Sequence, residues 1–201
     1  MEITCLHQHQ IKKASEVLAA SFFDYPMFTF YFPDENRRKH YLPWYFRNIL
    51  NTAYRYGEIY TTADVSGVIF TLPPDHNQIT LWEYVQNGFL LTPLILGFRN
   101  YVRSMECEQF VDETRAKLLK LRPHYYLWGL GVDPNQKKTG IGATLLQLIL
   151  EKADRENTAI YLETHSENNV PYYEKYKFDL LHTAKIPKHN LPFWCMLREP
   201  G

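Results

Sequence analysis

No surplus of either charge is present. Lys plus Arg and Asp plus Glu each number 22 in 201 residues, so no global field draws the chain to nucleic acid or to an anionic membrane, and a bound polyanion needs a local site. Cysteine is scarce and odd in number. Cys5, Cys107 and Cys195 lie far apart, match neither a disulfide framework nor a metal-ligand cluster, and read as reduced cytoplasmic thiols with no metal expected. The first ten residues carry polar amides and two histidines where a signal peptide needs an apolar stretch, so export is not expected. No long hydrophobic run occurs either: Gly88 to Phe98 is about half of the roughly 20 residues that span a bilayer, and Thr92 and Pro93 interrupt it. It reads as a buried or groove-lining helix. Repeats, low-complexity tracts and a clear linker are also lacking, which predicts one domain over residues 1–201. Apolar residues at 45% and charged residues at 22% are ordinary globular proportions and argue against extensive disorder.

What is there alternates strands and helices. Ile3 to Leu6 predicts a strand, and Ile11, Ala14, Val17, Leu18 and Phe22 repeat with a helical period. Asp34 can cap a second helix running through Tyr41, Phe46 and Leu50, which Pro43 should kink or restart and Gly57 should end. Glu58 to Thr62 and Gly67 to Leu72 read as a hairpin. Leu81 to Leu121 is helical again, with Leu91, Leu94, Ile95, Phe98, Val102 and Met105 on one stripe, a large insertion over about residues 79–122. Tyr125 to Val132, a strand broken by Gly129 and Gly131, then Ile141 to Ala153 and Ile160 to Thr164, make a β-α-β unit. A short helix near Tyr172 to Lys175 and strands at Asp179 to Ala184 and Phe193 to Leu197 complete the chain.

The segment Val132 to Ala143 ends a strand, turns through a glycine-containing loop and starts a helix. The first amides of a helix lack internal partners and sit at the positive end of its dipole, so they can grip a pyrophosphate, and Gly140 and Gly142 permit close backbone approach. Lys137 and Lys138 add positive charge, while Ile141, Leu145, Leu148 and Ile149 can hold the helix against a sheet. An ordinary β-α loop with glycines for tight packing is the bland alternative. A Walker-type loop is excluded by spacing, and the three-glycine dinucleotide pattern fails because Leu145 occupies its third glycine position.

Lys137-Lys138-Thr139-Gly140-Ile141-Gly142 resembles the acetyl-CoA signature of the GNAT superfamily, a Gln or Arg, two residues, Gly, one residue, then Gly or Ala. Lys137 departs from the usual Gln or Arg and keeps the charge. Downstream, Leu162-Glu163-Thr164 and Asn169-Val170-Pro171-Tyr172-Tyr173-Glu174-Lys175-Tyr176-Lys177-Phe178 are similar to the family's fifth strand, its Asn and Tyr-Glu-Lys helix, and the Gly-Phe that follows, with Lys177 in place of that Gly. The ending from Trp194 to Pro200 is similar to the puromycin N-acetyltransferase branch. The likeness runs from about Tyr125 onward; before that only the layout matches, best at Phe22 to Pro26 and Phe32 to Asp34. It implies an α/β GNAT fold: a mixed, mostly antiparallel twisted sheet splayed between its fourth and fifth strands, flanked by helices, with the helical insertion between strands three and four. It also implies acetyl-CoA as cosubstrate, held by the backbone of Leu130 and Val132, by Lys137, Lys138, Thr139, Gly140, Ile141, Gly142 and Ala143, and by Asn169 and Tyr173. Glycines at 129 and 131 suit a strand that a ligand approaches closely.

Acyl transfer from a thioester to an amine requires a neutral amine, a polarised carbonyl and a proton for the departing thiolate. By resemblance Tyr173 holds the position of the general acid, with Tyr172 the alternative. Strand alternation puts Tyr161, Glu163 and His165 on one face, making Glu163 a candidate base or a structural hydrogen-bonding group, and His165 a weaker candidate. The Val132 amide is a candidate for the oxyanion. The function expected is direct acetyl transfer to the amine of a small acceptor, with the insertion as a wall of the acceptor pocket and no nucleic-acid or membrane partner. A homodimer stays open, as do a non-catalytic CoA- or partner-binding domain and a protein or peptide N-acetyltransferase.

Overall fold

In the computed structural model, which describes residues 1–120 and 122–201, the period-2 segments form strands β1 (Ile3–Cys5), β2 (Glu58–Thr62), β3 (Gly67–Leu72), β4 (His124–Val132), β5 (Ala159–Thr164), β6 (Asp179–Lys185) and β7 (Pro192–Arg198). They make one sheet in the order β1-β2-β3-β4-β5-β7-β6. All neighbours are antiparallel except β4 and β5. Helices α1 (Ile11–Ser21), α2 (Pro26–Tyr31), α3 (Glu35–Tyr56), α4 (Leu81–Gln86), α5 (Thr92–Leu96), α6 (Phe98–Leu119), α7 (Ile141–Arg155) and α8 (Val170–Glu174) flank it. The expected mixed sheet and the insertion between strands three and four are both present; the insertion's expected end at Leu121 lies outside the described residues.

The two sheet faces carry different layers. Ile160 and Leu162 of β5 join Ile141, Leu145, Leu146 and Ile149 of α7 in one apolar cluster. On the opposite face Tyr161 packs in a larger cluster with Leu18 of α1 and Leu42, Phe46 and Leu50 of α3. Asp34 caps α3, its carboxylate accepting from the Arg37 amide at 2.8 Å. Of the kink or restart expected at Pro43, the restart is absent: α3 runs 22 residues as one helix with Pro43 inside it. A proline inside a helix costs about 3 kcal/mol, and burying Leu42, Phe46, Ile49 and Leu50 on this helix offsets it, at roughly 1.5–3 kcal/mol for each large apolar side chain.

The insertion departs more from expectation. Gly88 (φ 101°) and Gly97 (φ 78°) interrupt it, so it is three helices whose phase resets, and the stripe drawn across Gly97 does not bury. Leu94 is 77% and Phe98 75% exposed. The buried positions of α6 are Ser104, Cys107, Val111, Thr114, Arg115 and Leu119, a face richer in polar groups than periodicity had suggested.

β4 carries a bulge. Phe70 pairs with Gly129 and Thr71 with Leu127, leaving Trp128 as the extra residue and reversing the alternation beyond it. Tyr126 and Trp128 therefore face the α3 layer, whereas Leu130 and Val132 pack with α7. Gly129 and Gly131 take the other face: a Cβ on Gly129 would lie 2.3 Å from the Phe70 ring, and one on Gly131 2.7 Å from Leu18.

Lys177, which follows α8, adopts φ 64°. This is the left-handed conformation that favours glycine, and it costs an L-residue about 1–2 kcal/mol. After allowing for glycine's greater freedom in the unfolded chain, Lys177→Gly should raise unfolding free energy by up to about 1 kcal/mol in urea titration. An equal loss would show that the Lys177 side chain stabilises the turn.

Candidate functional site

β4 and β5 pair only at His124↔Ala159, Tyr125↔Ile160 and Tyr126↔Tyr161, although β4 continues to Val132 and β5 to Thr164. Beyond Tyr126 the strands part, and a cavity of about 130 Å³ lies in the gap. The Val132 amide points into this gap, where it donates to Ser21 Oγ at 3.3 Å. By strand alternation the amide and carbonyl of Leu130 point the same way, and Leu130 lines the cavity. The open edge expected of Leu130 and Val132 therefore exists, with the Val132 amide already partnered. Across the gap Tyr25, preceding α2, closes the end of β5: its hydroxyl accepts from the His165 amide at 2.5 Å and bonds Thr164 Oγ1 at 3.0 Å. Asn169 donates to the same Thr164 oxygen at 2.9 Å.

Tyr173 and Asn169 line the gap. Burial pushes the Tyr173 phenol well above its ordinary value, so it keeps its proton throughout the neutral range. Tyr172 sits elsewhere, its hydroxyl 3.6 Å from the position of a Cβ on Gly142. The turn before α7 is exposed from Pro134 to Gly140. Thr139 Oγ1 donates to the Gln136 carbonyl at 2.7 Å. Gly140 takes φ 87° as the helix N-cap, and the first helical bond runs from the Thr144 amide to the Gly140 carbonyl at 2.9 Å. The amides of Ile141, Gly142 and Ala143 precede that bond and are the free donors of a 15-residue helix. A Cβ on Gly142 would meet only ordinary contacts, 3.5 Å from Val132 and 3.6 Å from Tyr172; the fold itself tolerates a larger residue there, so the space suits a phosphate against bare backbone. The residue set fits the diphosphate and pantetheine arm of a CoA thioester.

Glu163 and His165 also line the gap. The Glu163 side chain is only 5% exposed and lies 3.7 Å from the Arg115 guanidinium. Burial raises its pKa, and Arg115 opposes the rise. Arg115 also pairs with Asp112 at 2.5 Å and stacks over Tyr126 at 4.4 Å. The His165 ring donates from Nδ1 to the Pro192 carbonyl at 3.0 Å, and burial holds its pKa down to about 4, which leaves a neutral and weakly basic imidazole.

One group was missed from the sequence. Glu108 of α6 accepts from the Tyr31 hydroxyl at 2.6 Å and lines both the gap and a second cavity of about 890 Å³ beneath the insertion. Tyr31, Tyr45, Tyr84, Tyr126 and Trp128 line both cavities with it, so the two meet at an aromatic junction. Burial is the main cause of a Glu108 pKa pushed up to about 7, with Asp112 and Glu163 adding to it and Tyr31 and Arg115 opposing. The available signal was spacing: Glu108, Asp112 and Arg115 stand at i, i+4 and i+7, one helix face.

Residues 95–178 match the sequence model of the acetyltransferase (GNAT) family. The chain carries a GNAT acetyltransferase domain. An uncharacterized N-acetyltransferase of Schizosaccharomyces pombe is 26% identical over 202 residues, covering 94% of this chain and 79% of that protein. Among solved structures, a histone acetyltransferase HPA2 and related acetyltransferase from Corynebacterium glutamicum superposes with TM-score 0.69 at 19% identity, covering 99% of this chain and 96% of that one. The ribosomal-protein-S18-alanine N-acetyltransferase of Escherichia coli gives TM-score 0.55 at 13% identity, covering 100% and 94%. At these identities the two structures share the fold alone. The family match and the Schizosaccharomyces pombe relative support an acyltransferase. Among its described residues no group of three or more His, Cys, Asp or Glu side chains could hold a metal ion, and no helix is long and apolar enough to cross a membrane.

The raised Glu108 pKa of the GNAT domain has a consequence for stability. Below its ordinary value of 4.5 the group is neutral in folded and unfolded chains alike. Between that value and about 7 the unfolded state is ionised while the folded state still holds its proton, so stability falls across this window by a total on the order of 3 kcal/mol and is level above it. Glu108→Gln removes this titration. In urea titrations the variant should gain on wild type by roughly that amount between pH 5 and pH 8.5; a constant difference across that range would show that Glu108 titrates normally.

Proposed function

We propose that the domain transfers an acetyl group from acetyl-CoA directly to the amine of a small acceptor. The observation that carries this reading is the meeting of two cavities at one aromatic junction: the strand gap, whose β4 wall continues into the turn before α7, and the larger cavity beneath the insertion. Acetyl-CoA supplies the thioester. The free amides of Ile141 to Ala143, with Lys137, Lys138 and Thr139 beside them, suit its phosphates, and the Leu130 backbone edge suits the pantetheine amides. Asn169 fixes Thr164 and through it the end of β5. Tyr173, protonated and lining the gap, serves as the acid for the departing sulfur. Leu130 is the better oxyanion donor of the two strand amides, since Ser21 already engages that of Val132. Glu163, paired with Arg115, orients that guanidinium and holds the charge balance of the site.

A small acceptor suits a cavity walled by α4 to α6, whose side chains line it. The three cysteines are free thiols, Cys107 and Cys195 buried, which supports a cytoplasmic protein. Tyr173→Phe tests the assignment. It should lower kcat by about a hundred-fold to ten-thousand-fold, the usual worth of a positioned acid, less if the thiol leaves easily, while the acetyl-CoA dissociation constant stays within about two-fold because the phosphate turn lies on another helix. Wild-type kcat under conditions where chemistry limits the rate would remove Tyr173 from the mechanism.

A further inference from the structure

The linings of the two cavities hold five carboxylates, Glu106, Glu108, Asp112, Glu113 and Glu163, and one guanidinium, Arg115. Two of these carboxylates are balanced from outside: Glu106 by His189 at 2.7 Å and Lys188 at 3.4 Å, and Glu113 by Lys117 at 4.0 Å. Arg115 then serves both Asp112 and Glu163. Glu108 is left over. Among the described residues its side-chain partner is the Tyr31 hydroxyl, and no Lys, Arg or His forms an ion pair with it. A carboxylate so placed at the junction of two cavities lacks a cation, and the aromatic faces around it, Tyr31, Tyr45, Tyr84, Tyr126 and Trp128, are surfaces that attract one. Apolar side chains make up much of the remaining lining of the larger cavity, Leu72, Val85, Leu96, Val102 and Met105 among them, with Asn77, Gln78, Ser104 and Gln109 as polar interruptions; Leu90, which also lines it, is 69% exposed.

We propose that the acceptor is a primary amine carried on an apolar body, which binds as its ammonium against Glu108 with the body lying under the insertion, and that Glu108 takes the proton that frees the amine for transfer. This deepens the acetyl-transfer reading above and rests on it. The alternatives for the base fare worse. Glu163 is tied to Arg115, and His165 donates to Pro192 and is neutral. Against an ammonium near 10.4, a carboxylate at about 7 accepts the proton at a cost of roughly three powers of ten, whereas an ordinary one near 4.3 faces about six.

The groups facing Glu108 are Tyr31 of α2, Tyr45 of α3, Tyr84 of α4, Cys107, Asp112 and Arg115 of α6, Tyr126 of β4 and Glu163 of β5. The tyrosines keep their protons in the neutral range, burial pushes the Cys107 thiol up to about 12, and Arg115 keeps its charge. Activity near pH 7 therefore follows Glu108. In the transfer one amine proton passes to Glu108, nitrogen bonds to the thioester carbonyl carbon, and the carbon–sulfur bond breaks. A second proton shed by nitrogen balances the one that the departing sulfur takes up. Products are the acetamide, the thiol and one proton that leaves Glu108 for water.

The test measures thiol release from acetyl-CoA with four acceptors: n-octylamine, 2-phenylethylamine, ethanolamine and a short alanine-initiated peptide, with acetyl-CoA binding followed separately by thermal shift. Both apolar amines should exceed ethanolamine and the peptide in kcat/KM by at least about a hundred-fold. The profile of kcat/KM should rise with pH through about 7. Glu108→Gln should lower kcat/KM by about a hundred-fold or more and erase that limb, leaving the acetyl-CoA shift intact. Octyltrimethylammonium, which cannot be acetylated, should compete with octylamine, and 1-octanol should not. Ethanolamine or the peptide performing as well as octylamine, equal inhibition by octanol, or an unchanged limb in Glu108→Gln overturns the inference while acetyl-CoA binding stands. Failure of acetyl-CoA to bind overturns the function beneath it as well.

Discussion

Two side-chain hydroxyls from the first part of the chain meet the strand amides where the sheet parts, at the place proposed for the chemistry. Where β4 leaves β5 after Tyr126, each strand loses its ladder partner, and a buried amide with no acceptor costs about 1–3 kcal/mol. Ser21 meets the Val132 amide and Tyr25 meets that of His165, so the parting is stable without closing. The bulge at Trp128 completes the arrangement by turning Leu130 toward α7 and leaving only glycines on the other side of the strand. A thin backbone edge and a rigid helix start therefore lie at the two ends of one gap. Electrostatic groups placed this way need no rearrangement when charge develops.

The insertion contributes what the core lacks. In the proposed reading the sheet supplies a place for the thioester, whereas α6 brings Glu108, Asp112 and Arg115 to the cavities from a helix outside the sheet. Keeping Glu108 there opposes folding from about pH 7 upward, since among the described residues its charge has no cationic partner. Residues that strain stability in this way cluster at sites of function. The same helix layer holds both the carboxylate and the apolar wall, so the proposed recognition of an amine's charge and of its body would be coupled by construction.

Local signals were readable and long-range ones were not. The turn at Gly140 to Ala143, the glycines at 129 and 131 and the amphipathic α7 each rest on a period or a short motif, and each stands in the structure near its expected place. The face choice of Tyr161 and Glu163 followed from strand alternation alone. Glu108 was not legible because its environment is assembled from α2, α3, α4 and β4, distant in sequence, and because the apolar stripe drawn across Gly97 does not include its position on α6. Once a left-handed glycine resets the helix phase, residues on either side of it no longer share a face. Pro43 does not restart α3 for a tertiary reason: its local cost is real, and burial along the helix offsets it.

The central claim, that the gap beside Leu130 and the free amides of α7 together receive acetyl-CoA, is tested most directly by amide hydrogen exchange with and without acetyl-CoA. The account predicts that exchange slows at Leu130 and at Ile141, Gly142 and Ala143, amides with no strand or helix partner in the protein, while the ladder amides of β2 and β3 hardly change. Protection confined to other segments, or none at these four amides at saturating acetyl-CoA, would contradict it.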